Sequence, residues 1–392
     1  MKTIVLAGLK DDTNLGDPVI FECTRYLLDR ILSDDGEPYT ILPCDLYASG
    51  WLEWLLCLPV RIVSRVARGF HLPVDIFDRW QTRLSTFRHY KRLAKKADAI
   101  VVAGGGLIKF RYQEFDYLLG GLIKAADQRK IPVMFNSVGV EGFDAADKRC
   151  LRLLKALNSP CVRMVTTRDD ITTLRNNYIK RPGIICEPAA DPALWVEDAF
   201  QICQNKNSGV VGIGVIRPGI FKDNGILYTQ EQLLTLFSGM IDRLRAQNKK
   251  WVLFTNGLQA DTAFAVELCR HIGCDPAECL RIPATARELV TLISGFAGVI
   301  ACRLHATIIA YALGISAVGL VWNAKMHFFG ENIGCPDRFI DIDKAAPALV
   351  TQKLIQAMDQ PGNRSNLLQY RDTTRHYLEV FLRNLPVQNG EM

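Results

Sequence analysis

The stretch 295–322, GFAGVIACRLHATIIAYALGISAVGLVW, decides the fold. It opens with an apolar run, GFAGVIA, breaks at Arg303 and His305, resumes as ATIIAYALG, and closes with a second apolar run, SAVGLVW. The outer runs are short and lack polar alternation, the pattern of strands buried on both faces. The inner run reads as an apolar helix stopped at Gly314. Strand, helix and strand in succession form a βαβ unit, whose two strands are parallel. Arg303 and His305 therefore fall at the carboxyl end of a parallel strand, where open α/β sheets bind ligands.

The same rhythm recurs on either side. KTIVLAGL is followed by helical periodicity from Pro18 to Leu32, ADAIVVAGGG by Phe115 to Arg129, and IPVMFNSVGV by Asp144 to Leu157. A second series runs SGVVGIGVI, then Thr229 to Gln247, and KKWVLFTNG, then Thr262 to His271, before reaching the opening stretch. Polar CQNKNSG (203–209) joins the series. The expected fold is α/β, with two Rossmann-like domains facing a cleft. Their expected bounds are 1–202 and 208–362, with a helix and tail at 363–392 packing back on the first domain.

Residues 49–96 break the rhythm as a helical insertion holding three of the six tryptophans. Trp51, Trp54, Leu55 and Leu58 fall near one helical stripe, and Arg61, Arg65 and Arg68 recur at spacings of four and three. Such a helix suits an anionic membrane interface, or else packs on the domain or over the cleft.

Composition narrows the class. The chain has 392 residues, 49% hydrophobic and 22% charged, and a net charge of +6. No dense Lys/Arg block of a nucleic-acid arm appears, so no nucleic acid is expected; anionic small molecules or a membrane surface fit better. Twelve cysteines are present without a C-x-x-C pair, many in apolar runs such as GVIACRL. They read as free thiols of a reduced, cytoplasmic protein, and no acidic or Cys/His cluster calls for a metal. No run reaches the length of a membrane span.

Several motifs sit at strand ends. GLKDDTNLGDPVI places Asn14, Gly16 and Asp17 between the first strand and first helix; Asp17 either serves a ligand or caps the helix starting at Pro18. VVAGGGLIKF gives Gly104, Gly105 and Gly106, whose N–H groups could face a ligand or merely make a tight turn; the spacing is not that of a dinucleotide fingerprint. SVGVEG carries Glu141. In TTRDDITTL, Arg168 stands at a helix start, either facing an anion or paired with its neighbouring aspartates. VWNAKMHFFGENIG brings Lys325 and His327 to the next strand end. Arg supplies a planar fork for carboxylate or phosphate, and His a proton near neutral pH.

In this order, NLGD, GGG, SVGV, TRDDITTL, ADPAL (190–194) and RLHATIIAYALGISAVGLVWNAK resemble the polysaccharide pyruvyl transferase family over most of residues 1–340. The insertion at 49–96 lies outside the shared pattern. The resemblance implies a GT-B-like fold and transfer of pyruvate from phosphoenolpyruvate to two hydroxyls of a sugar, giving a cyclic ketal and phosphate. It implies no cofactor beyond this co-substrate. His305 would be the general acid and Asp17 the base, with Glu141 second. Arg303, Arg168 and Lys325 would hold phosphoenolpyruvate. Asn14, Gly16, Gly104, Gly105, Gly106 and Glu141 would face the acceptor. Acceptors in this family are often sugars on a polyprenyl diphosphate, which would give a membrane-facing role to 49–96. Two rivals remain at this level: a nucleotide-sugar glycosyltransferase of the same fold, with Glu331 for the ribose, and a membrane-associated scaffold.

Overall fold

The computed structural model describes residues 1–47, 75–111, 115–205, 209–360 and 364–385, with side chains of the helix starting at Asp75 described from Arg83 onward. The chain divides into two α/β units, each built on a parallel sheet. The first comprises Met1–Lys10, Arg25–Ala189 and the stretch from Thr374; the second comprises Asp11–Thr24 and Ala190–Thr373.

In the first unit, β1 (Lys2–Gly8), β2 (Tyr39–Asp45), β3 (Ala99–Val102), β4 (Gly105–Ile108), β5 (Val133–Val140), β6 (Val162–Thr167) and β7 (Ile185–Pro188) form one sheet. The order is β2-β1-β3-β5-β6-β7, and β4 also pairs with β5. β3 and β4 follow one another along β5, from Ile100↔Val133 to Ile108↔Val140. The step between them is made at Gly105, whose φ of +108° is a conformation only glycine adopts without strain. Every residue of β5 is buried, as expected of a central parallel strand. The chain bulges there at Ser137 (φ +55°), whose N–H donates to Thr166 Oγ1 at 2.8 Å. α1 (Gly16–Asp34) begins in the second unit and enters the first at Arg25; the other longer helices of the first unit are α2 (Asp75–Ala94), α3 (Phe115–Asp127) and α4 (Lys148–Leu157). α2 packs on α3, and α3 on α4.

The second unit holds β8 (Val210–Gly214), β9 (Lys250–Phe254), β10 (Leu280–Arg281), β11 (Gly298–Ala301), β12 (Ser316–Val321) and β13 (Phe339–Asp341). They lie in the order β10-β9-β8-β11-β12-β13, the doubly wound arrangement with its switch point between β8 and β11. Its longer helices include α5 (Gln230–Ala246), α6 (Gln259–His271), α7 (Ala286–Ser294), α8 (Leu304–Ala312), α9 (Ala324–Asn332) and α10 (Pro347–Asp359). The stretch 295–322 folds as β11-α8-β12, with the strands parallel from Gly298↔Ser316 to Ala301↔Gly319. All nine residues of α8 are buried, which is why it is apolar all round instead of on one stripe. Gly212 in β8 admits the Phe296 ring, since a Cβ there would lie 2.3 Å from it.

The chain passes between units at Ala189/Ala190, not at 202–208. β7 closes the first sheet, whereas Pro192–Trp195 packs on α8 and Asn205 N–H donates to Ser294 O at 2.8 Å. The polar 203–209 link thus lies within the second unit. α11 (Arg364–Arg383) is shared: Thr373 Oγ1 accepts from Ala190 N–H at 2.9 Å, while Arg375 pairs with Asp34 at 3.5 Å.

Of the insertion at 49–96, the stripe from Trp51 to Arg68 lies outside the described residues. Its second half is α2, which packs as part of the first unit: Tyr90 is 1% exposed and its hydroxyl donates to Leu46 O at 2.6 Å. Among the described residues, no helix is long and apolar enough to cross a membrane.

Thiol reactivity tests this burial. Desolvation pushes the Cys44 thiol up to about 12, and pushes Cys23 and Cys302 up as well, whereas Cys203 is exposed. Alkylation of the native protein at pH 8, followed by peptide mass mapping, should label Cys203 promptly and Cys23, Cys44 and Cys302 only after denaturation.

Candidate functional site

The second unit gathers polar side chains at the carboxyl ends of its strands. Arg303 is the N-cap of α8, with extended backbone. Its Nε and Nη2 donate to Asp261 Oδ2 and Oδ1, both at 2.8 Å, in a bidentate fork. Asp261 is fully buried in the first turn of α6, and its Oδ1 also accepts the Arg217 N–H at 2.9 Å. Three donors thus converge on one carboxylate at the switch point. The fork leaves Nη1 and the second Nη2 hydrogen of Arg303 for other partners.

His305 is the second residue of α8 and is 7% exposed. Its Nε2 lies 3.7 Å from Asp191 Oδ2, and the other oxygen of Asp191 caps Ala193 N–H at 2.8 Å. Its Nδ1 edge presses on Gly16, where a Cβ would sit 2.1 Å away. Gly16 is therefore fixed by contact with the imidazole. The Asn14 side chain donates to Asp17 Oδ2 at 2.8 Å, and Leu15 N–H donates to Asn256 O at 2.9 Å, pinning this loop to the end of β9. α1 starts at Gly16, so Asp17 lies inside its first turn and is not the cap expected before Pro18.

Lys325 is the second residue of α9, its Nζ 5.1 Å from the centroid of Trp322; Trp322 in turn donates from Nε1 to Cys302 O at 2.6 Å. His327 turns instead to Asp341, at 2.6 Å. Hydrogen bonds from Lys344 and then His327 hold the Asp341 carboxyl below its ordinary value, an arrangement of the β13 surface. Glu331 is exposed near the far end of α9.

A second polar cluster belongs to the first unit. A Cβ on Gly139 would lie 3.1 Å from Asp169 Oδ2, 3.2 Å from Gly106 Cα and 3.4 Å from Arg168 Nη2. Glu141 pairs with Lys109 at 3.5 Å, and a Cβ on Gly106 would sit 3.4 Å from its Oε1. Asp169 Oδ1 accepts from Val140 N–H and Asp170 N–H at 2.8 Å and from Thr167 Oγ1 at 3.0 Å. Burial nonetheless pushes its pKa up, against the opposing pull of Arg168. Gly104 and Gly105 lie at the β3-to-β4 step of the same unit.

The structure therefore sorts the residues differently from the sequence. Gly16, expected on the first domain, packs against His305 in the second unit, to which Asn14 also belongs; Arg168 belongs to the first. Sequence reasoning missed Asp191, Asp261, Asn256 and Lys109. The only local trace of Asp191 was ADPAL, where Asp before Pro is a helix-start signal.

Because Asp261 is buried with its charge, removing Arg303 strands it. Arg303→Ala should cost about 3–5 kcal/mol of stability, whereas Arg303→Met combined with Asp261→Leu should recover most of that loss. Chemical denaturation of the singles and the double measures both.

The sequence matches the polysaccharide pyruvyl transferase family over residues 14–323. No protein of curated function matches it. Solved structures share the fold. The UDP-GlcNAc 2-epimerase of Methanocaldococcus jannaschii aligns with a TM-score of 0.62 at 10% identity, covering 98% of this chain and 100% of that one. That of Neisseria meningitidis, bound to UDP-GlcNAc, aligns at 0.56 with 13% identity and the same coverage. A putative UDP-N-acetylglucosamine 2-epimerase of Listeria monocytogenes aligns at 0.58 with 9% identity, covering 96% and 94%. At such identities the likeness carries the GT-B-like fold of two Rossmann-like units and nothing about ligands. The match over residues 14–323 reaches from NLGD through the R-L-H turn, and with it the chain belongs to the polysaccharide pyruvyl transferase family, enzymes that transfer pyruvate in polysaccharide biosynthesis.

Proposed function

We propose that the protein takes phosphoenolpyruvate as donor and forms a cyclic pyruvate ketal across two hydroxyls of a sugar in a surface-polysaccharide precursor. The observation that carries the proposal is His305, held between Gly16 and the Asp191 carboxylate beside the cationic N-cap of α8. The imidazole protonates the methylene carbon of phosphoenolpyruvate, which makes C2 electrophilic. One sugar hydroxyl adds to C2; phosphate then leaves, and the second hydroxyl closes the ring. Of the two hydroxyl protons released, one balances the new methyl group and the other leaves with phosphate.

Asp191 stabilises the protonated imidazole before it delivers its proton. Arg303, oriented by Asp261, and Lys325 hold the donor's anionic groups. Asp17, the residue after Gly16, takes a hydroxyl proton, with Glu141 as the second choice for a base. Arg168 as a further donor cation, and Asn14, Gly16, Gly104, Gly105, Gly106 and Glu141 as acceptor contacts, rest on the family resemblance and are read by the KM for each substrate. No further cofactor enters.

Phosphoenolpyruvate at about 100 times its Kd should add roughly 2.7 kcal/mol to the stability of the intact protein, while UDP-sugars add nothing. His305→Gln should keep that stabilisation but lose about 10²–10⁴ in kcat for acceptor-dependent phosphate release. Stabilisation by a nucleotide sugar alone would favour the second reading, a nucleotide-sugar enzyme of the same fold, which draws on the UDP-GlcNAc named for the solved neighbours.

A sugar on a polyprenyl diphosphate, met at the membrane through the insertion at 49–96, completes the proposal. α2 belongs to the first unit, so point substitutions test this better than a deletion. Replacing Trp51 and Trp54 with Ser and Arg61, Arg65 and Arg68 with Gln should abolish flotation with anionic liposomes. Unchanged flotation would remove the membrane role from this segment.

A further inference from the structure

Three of the twelve cysteines meet in the second unit. Cys269 stands in the last turn of α6, about 12 Å along the helix from Asp261 in its first turn. The chain then turns through Gly273 (φ +66°), and Cys274 N–H donates back to Cys269 O at 2.9 Å. Asp275 caps the short helix Pro276–Cys279, whose last residue immediately precedes the edge strand β10. This return brings Cys279 Sγ to 3.4 Å from Cys269 Sγ. The Cys279 thiol also shares a hydrogen bond with that of Cys274, so it stands between the other two.

Burial is graded across the cluster. Cys269 is fully buried, Cys279 is 5% exposed, and Cys274 is half-buried on the turn. A buried cysteine ordinarily serves as a small apolar filler, and Cys269 alone would be one. That reading leaves Cys274 unexplained, because it fills no core, and it calls for no second thiol against the first. Burial pushes all three thiols above their ordinary value, while Arg245 pulls Cys274 the other way. A first attack on an outside reagent is therefore slow, and Cys274 is the group open to make it. What the cluster supplies is proximity, since a second thiol already touches the first.

We propose that Cys269, Cys274 and Cys279 form a thiol–disulfide exchange site that reacts with a small disulfide such as oxidised glutathione. Cys274, as the thiolate, attacks one sulfur of the small disulfide and expels the other as a thiolate, leaving a mixed disulfide. Cys279 attacks Cys274 Sγ, expels the second small thiol and makes a Cys274–Cys279 bond. Cys269 attacks Cys279 Sγ in turn, which returns Cys274 to the thiol and leaves Cys269–Cys279 as the product. Two protein thiols are oxidised and one small disulfide is reduced to two thiols, which take up the two protein protons. For the last bond the sulfurs close from 3.4 Å to roughly 2.05 Å, a movement on the scale of side-chain rotation. The product ties the end of α6 to the start of β10, and the inference is independent of pyruvyl transfer.

The test holds the full chain in glutathione buffers from reduced to oxidised, quenches with acid, alkylates free thiols and maps peptides by mass without reduction. The linked Cys269–Cys279 peptides should accumulate with the oxidised fraction and disappear on adding dithiothreitol. Cys274→Ala should slow their formation at least ten-fold and leave the final level unchanged. Cys269→Ala should stop the sequence at Cys274–Cys279, and Cys279→Ala should leave glutathione on Cys274. Free thiols at Cys269 and Cys279 of the unsubstituted protein, in a buffer that already glutathionylates the exposed Cys203, would overturn the proposal. So would a rate of formation indifferent to Cys274→Ala.

Discussion

A single buried carboxylate organises the second unit. Asp261 has no exposed surface, so its charge is tolerable only because donors surround it: the Arg303 fork and the Arg217 N–H. Those donors follow β11 and β8, the two parallel strands between which the strand order reverses. The same ion pair that satisfies a buried charge therefore fixes the register of both strand ends and sets the direction of Arg303. His305, two residues along, inherits that placement through α8.

The second constraint is steric. Gly16 and His305 are separated by most of the chain, yet no side chain fits between them. The imidazole has one edge against the Gly16 backbone and the other toward Asp191, so its rotation is restricted from both sides. A ring held this way is positioned for proton transfer at small cost in side-chain entropy, most of which folding has already removed.

Much of this was legible in the sequence, for identifiable reasons. The β11-α8-β12 unit could be read because burial on all sides leaves only apolar residues, and Gly314 marks the stop. The polar residues at strand ends could be read because they interrupt that pattern. What failed was tertiary. Nothing local says that Gly16 packs beside a histidine almost three hundred residues later, or that the chain changes unit at Ala189 inside an unbroken run. Asp261 reads as an ordinary acid in the first turn of a helix, and only its burial shows otherwise. Asp17 offers a cap by its position, but the helix starts one residue earlier and its carboxylate goes to Asn14.

The assignment of Asp11–Thr24 to the second unit has a kinetic consequence. These residues are synthesised well over two hundred residues before their partners Asn256 and His305. At ribosomal rates of about 5–20 residues per second, Leu15, Val19 and Ile20 wait on the order of tens of seconds before the surface that buries them exists. During that interval the nascent chain presents an apolar turn next to a strand that has already found its sheet, a natural point of engagement for a chaperone. The closing contact of the site thus forms long after its first half has left the ribosome.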